Sequence, residues 1–199
     1  MTPNDPRQER VPHSTKRKTM AVEIIRVDGG TIQTVVGFFN VLNSKSTLHR
    51  EYVAVVSNLP VSFPDTPGVT TIYEKGENRS GNYFYASKTS VVVGDALAVT
   101  AFEVRFVTFD IFGNRVRTLS ATVIEDILAG ERRTYDDWKW GPYSENEVIA
   151  HFASVAFVAQ VRTADGQVHV ANQEDILEAV RQFAVKATEA DLNPTAEKP

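Results

Sequence analysis

Short runs of alternating apolar and polar residues dominate this chain, and each run is bounded by turn-forming residues. The clearest covers residues 98–109, where Phe102, Val104 and Phe106 recur at every second position and share one face of a predicted strand. Asp110-Ile111-Phe112-Gly113-Asn114 follows as a turn, its Gly-Asn pair suited to positive φ. Residues 115–124 return as a strand through Val116, Leu119, Val123 and Ile124. Ala129-Gly130-Glu131 turns the chain again, and residues 135–140 make a further strand. Residues 153–162 (ASVAFVAQVR) are nearly all small or β-branched, which predicts a central strand. Asp165-Gly166 signals a tight hairpin into residues 167–170. Earlier in the chain, residues 70–73 face residues 83–86 across a polar loop containing Gly76, Asn78 and Gly81. In the first third, residues 22–27, 31–41 and 52–57 are strand candidates, with Asp28-Gly29-Gly30 as a turn. Pro60, Pro64 and Pro67 exclude a central strand between them. Strands this short, spaced by about ten residues, predict an all-β protein, an antiparallel β-sandwich. No internal period suggests a propeller or solenoid.

The two ends read differently. Residues 1–19 carry Pro3, Pro6 and Pro12, little apolar material and a surplus of basic over acidic residues, the composition of a disordered basic arm. No apolar run of signal-peptide length follows Lys16-Arg17-Lys18, and no stretch has the length of a membrane span, so the expected location is cytoplasmic. At the other end, Asn172 is a helix cap with Glu174 and Asp175 in the first turn. Ile176, Leu177, Val180, Phe183, Ala184 and Ala187 then recur at helical spacing. This predicts an amphipathic helix within residues 172–188, packed on the β body of residues 20–171 or docking a partner, and a flexible tail over residues 189–199.

Residues 87–171 also carry a recognisable order of features. Phe106-Val107-Thr108-Phe109-Asp110 is followed by Gly113, then by the turn Leu128-Ala129-Gly130-Glu131, then by the Asp165-Gly166 hairpin. This order resembles the bacterial immunoglobulin-like domains of the FxLYD type, named for a Phe-x-Leu-Tyr-Asp strand with a Gly turn after it. Thr108 and Phe109 stand here in the Leu and Tyr places, and Ala129 stands where the family's later turn commonly has Pro. The resemblance implies an immunoglobulin-like sandwich with a non-enzymatic interaction role, and it carries over no catalytic residue.

Composition narrows the chemistry. The 199 residues include 42% hydrophobic positions, enough for a substantial core. A net charge of -4 argues against a dedicated nucleic-acid binder. The absence of cysteine excludes disulfides, thiol catalysis and Cys-ligated zinc. His13, His49, His151 and His169 are scattered, with no pair at metal-binding spacing, though His151 and His169 would meet if their strands lie side by side. Ser57 and Ser154 lie inside strand runs rather than at a nucleophile elbow. Glu125-Asp126 and Asp136-Asp137 read as solvated turns, and Asn78-Arg79-Ser80 as a chance sequon. No phosphate loop, metal site or cofactor is predicted.

One segment stands apart. Tyr135, Trp138, Trp140 and Tyr143 lie within nine positions and include both tryptophans of the chain. In one continuous strand Trp138 and Trp140 share a face, with Tyr135 and Lys139 on the other. Two readings remain open: an aromatic platform for a sugar ring or a protein partner, or rings that fill the core. The sequence thus points to a non-catalytic interaction or structural module, with a protein partner or self-association. The alternative is a carbohydrate-binding module that takes a glycan on Trp138 and Trp140.

Overall fold

The computed structural model describes residues 27–29, 50–55, 57–75, 80–136 and 138–196. Strands β1 (Val27–Gly29), β2 (Arg50–Ala54), β3 (Val61–Ser62), β4 (Thr70–Lys75), β5 (Ser80–Ala86) and β6 (Thr89–Val93) come first. The long pair β7 (Val99–Phe109) and β8 (Arg115–Ile127) follows, then β9 (Arg132–Tyr135), β10 (Trp138–Tyr143) and a short helix α1 (Glu145–Ile149). After β11 (Ala153–Thr163) and β12 (Val168–Val170), the chain closes with helix α2 (Gln173–Arg181) and a 3-10 turn η1 (Glu189–Leu192). The described chain is therefore mostly strand, with few helical turns. The basic arm, residues 22–26 of the first expected strand, the strand expected at residues 31–41 and Asn78-Arg79 of the sequon lie outside the described residues.

Three sheets result. The largest runs β1-β2-β11-β7-β8, with β12 paired to β11; the smaller two run β10-β5-β4 and β3-β6-β9. As its composition predicts, β11 is central, between β2 and β7. The proline-rich stretch yields only the two-residue β3, at the edge of its sheet, and the expected hairpins β4–β5 and β11–β12 form. One pairing departs from the antiparallel expectation: β2 and β11 run parallel. They are far apart in sequence, so the intervening chain can return to the same end of the sheet, which no tight hairpin allows.

The large sheet has a core on each face, the one on its helix side covering only part of the sheet. Phe102, Val104 and Phe106 of β7 and Leu119 and Val123 of β8 pack against Val61, Phe84, Val91 and Val93 of the smaller sheets. On the opposite face Val107, Phe109, Val155 and Phe157 meet Ile176 and Val180 of α2 and Leu192 of η1. The period-two alternation of β7 thus feeds two cores rather than one.

Three local expectations change. Residues 135–140 form the end of β9 and the start of β10, which belong to different sheets. The C-terminal helix is capped by Asn172, whose Oδ1 accepts from the Glu174 N–H at 3.1 Å, but it ends at Arg181. The chain turns there and lays Phe183 flat on Phe109, with centroids 6.0 Å apart and planes at 14°. Residues 189–196, expected as tail, are pinned to the large sheet. Arg115 pairs with Asp191 at 3.1 Å, and Arg105 donates to the carbonyl of Leu192 and to Oδ1 of Asn193, each at 3.2 Å. Among the described residues no helix is long and apolar enough to cross a membrane.

Candidate functional site

The break between β9 and β10 decides where the aromatic residues go. Tyr135 does not oppose Trp138; the two rings stack at 5.5 Å with planes at 16°. Tyr135 also meets Phe102 edge-on at 5.7 Å and donates its hydroxyl to Glu125 at 2.8 Å. Burial, together with the hydrogen bond and charge of Glu125, pushes the phenol above its ordinary range. Trp138 and Trp140 approach Phe106 from one side, with centroids at 6.4 and 5.7 Å. The Trp140 Nε1–H donates to the Ser120 carbonyl at 2.7 Å. Tyr143 packs on Phe84 at 5.5 Å and carries the Arg117 guanidinium 4.1 Å above its ring. All four rings are half-buried against the core between the large sheet and the smaller ones.

The arrangement brings Trp140 and Tyr143 together at a cleft of about 190 Å³, which Tyr135 and Trp138 do not line. Its other walls are Arg117 and Ser120 of β8 and Pro194 and Thr195 of the C-terminal segment. Arg117 is held by an ion pair to Glu147, and that pairing with the Ser144 hydrogen bonds keeps the Glu147 carboxyl below its usual range. Glu147 in turn closes the capping box of α1 with Ser144, a Ser-x-x-Glu spacing that marks the helix start. Arg117, like Ser120, Pro194 and Thr195, is a member of this site that sequence reasoning did not single out. Its position opposite the aromatic strand comes from the pairing of sheets, which no local pattern encodes.

Other candidate chemistry is dispersed. His151 is buried, with Nε2 2.8 Å from the Val69 carbonyl, and lies just before β11. His169 pairs with Val161 near the far end of β11, so a rise of about 3.3 Å per residue sets the two histidines roughly 30 Å apart. Glu125 is no solvated turn: it sits within β8 and accepts from Tyr135 and from Arg133, the latter at 3.2 Å. Among the described residues no group of three or more His, Asp or Glu is arranged to hold a metal.

A second feature lies on the helix side of the large sheet, which α2 and η1 cover at one end only. Beyond that cover the registers align Ile124, Ala101, Arg162 and Val168 in one row across β8, β7, β11 and β12. The adjacent row runs Thr122, Glu103, Gln160 and Val170. Ile124 is 85% exposed, Val168 58% and Val170 64%. The border with the covered part is polar and satisfied, since Glu103 accepts from Arg105 at 2.7 Å and from Gln160 at 2.7 Å. No protein-family model matches the chain, and neither the curated proteins nor the solved structures include a significant match.

Proposed function

We propose that this chain is a non-catalytic interaction module, an immunoglobulin-like β-sandwich in fold type, whose partner is a protein or a second copy of itself. The observation that carries the reading is the pair of rows on the uncovered part of the large sheet, where Ile124, Val168 and Val170 are held out on a rigid, hydrogen-bonded surface. Val168 and Val170 stand side by side on β12 and Ile124 lies at the far end of the row across Ala101 and Arg162, so exposed aliphatic groups are spread over one uncovered sheet face among polar ones, as at the contact surfaces of interaction modules. Buried rings and ion pairs elsewhere give the sheet the stiffness that keeps ordering costs low when a partner docks. The test is a doubly substituted chain, Ile124→Lys with Val168→Lys, compared with wild type for solution mass and for co-purifying protein. The wild type is expected to self-associate or to retain a partner that the equally stable variant loses. No association in either chain would end this reading.

The alternative, a carbohydrate-binding module, draws its support from the cleft between Trp140 and Tyr143. Its two aromatic walls and the Arg117 and Thr195 donors suit one sugar ring. A glycan screen read by tryptophan fluorescence, repeated with Trp140→Phe, tests it.

A further inference from the structure

The patch proposed above ends at β8, and the edge of that strand defines what can dock there. β8 forms one edge of the large sheet, so on one side its outward peptide groups have no strand partner among the described residues. Part of the edge is closed by the chain itself. Thr118 donates its N–H to Thr195 Oγ1 and accepts from the Thr195 N–H, both at 2.9 Å. The Ser120 carbonyl takes the Trp140 indole N–H. These contacts establish that even-numbered residues of β8 turn their backbone groups off the sheet, and the alternation carries on to Thr122 and Ile124. Residues 121–124, Ala-Thr-Val-Ile, contain no charged residue or proline; Glu125 and Asp126 follow, where the register against β7 shifts between Ile124 and Ile127.

We infer that this edge is occupied by a second copy of the chain, with β8 paired antiparallel to β8 across a two-fold axis at Ile124. The inference rests on the interaction reading and names its partner. An open edge can take another extended strand through main-chain hydrogen bonds, and a closed two-fold pairing is the commonest way for identical chains to supply one. The register follows from which groups are still available. A two-fold at Thr122 would call on the Ser120 and Thr118 backbone groups already engaged by Trp140 and Thr195. A two-fold at Ile124 avoids both. It sets Thr122 opposite the Asp126 of the other copy, twice by symmetry, so that a hydroxyl donor faces a carboxylate. Glu125 then faces Val123, and no like charges oppose each other. The two Ile124 side chains meet at the axis and join the uncovered faces of the two sheets into one.

Sedimentation velocity of the full chain tests this, run from about 1 to 100 µM, with wild type, Ile124→Lys and Asp126→Lys compared. Wild type is expected to show a concentration-dependent dimer, and each variant a dissociation constant raised at least about tenfold with unchanged melting temperature. The dimer overturns the inference if it persists equally in both variants. So does a wild type that stays monomeric throughout. A monomeric wild type that still holds a different protein, lost on Ile124→Lys, overturns only the self-pairing and leaves the interaction reading in place.

Discussion

Truncating Trp140 separates a packed ring from a ligand platform. Its indole meets Phe106 at 5.7 Å and caps the Ser120 carbonyl at 2.7 Å, so the side chain contributes by burial and by one hydrogen bond. Truncating a fully buried Trp costs about 3–5 kcal/mol, and Trp140 is only half-buried, which puts Trp140→Ala near about 3 kcal/mol. For a chain of this size that lowers the melting temperature by about 6–12 °C. Trp140→Phe keeps most of the ring contact and leaves the Ser120 carbonyl without its donor, a cost of about 1 kcal/mol, or about 2–4 °C. Thermal denaturation followed by far-UV circular dichroism measures both. If Trp140→Ala melts within about 2 °C of wild type, the ring does not pack as described. If Trp140→Phe costs as much as Trp140→Ala, the hydrogen bond, not the packing, carries the effect.

Native tryptophan emission is expected to be blue-shifted and to move red on unfolding, because both indoles lie against Phe106; emission already red in the native state would contradict that placement. Acid should destabilise the fold. The Glu147 carboxyl is held below its ordinary range chiefly by Arg117, and that of Asp191 chiefly by the Thr188 N–H. For a carboxylate with a lowered folded pKa, the contribution is complete above about pH 4–5 and is lost as pH falls below it. Urea midpoints at about pH 6 and pH 3 should differ less in Asp191→Asn than in wild type, and an equal difference would remove Asp191 from the account. Gly113 and Gly166 both have positive φ, so alanine at either costs about 1 kcal/mol or more. At Gly113 the new Cβ would also lie 2.1 Å from the Phe183 carbonyl, while at Gly166 it meets open space. Gly113→Ala should therefore melt clearly lower than Gly166→Ala, and equal melting would mean the turn does not press on the end of α2.

How much of this was legible in the sequence depended on the range of the signal. The stripe of Phe102, Val104 and Phe106, the composition of β11 and the Asp165-Gly166 hairpin are local patterns, and each gave its element. Helix α1 went unpredicted although its Ser144-Glu145-Asn146-Glu147 box is a local signal, because the box sits directly after an aromatic strand whose pattern is easily read as continuing. Lost from view was everything set by partners distant in the chain. The parallel pairing of β2 with β11, the transfer of the chain from one sheet to another between Tyr135 and Trp138, and the strapping of Asp191 and Thr195 onto β8 all belong to that class. Tyr135, Trp138, Trp140 and Tyr143 stand out in the sequence by type and spacing, but the orientation of their rings does not, because a period-two argument holds only within one unbroken strand. Ile124 read simply as one of the apolar residues of its strand; only the register across β7, β11 and β12 reveals it as part of an uncovered row.

The most direct measurement is residue-resolved amide hydrogen exchange on β8 at low and high protein concentration. The account predicts that the Thr122 and Ile124 N–H groups exchange quickly when the chain is dilute and become protected when it is concentrated, while Thr118 is protected in both. Exchange at Thr122 and Ile124 that is identical at every concentration, fast or slow, would contradict it.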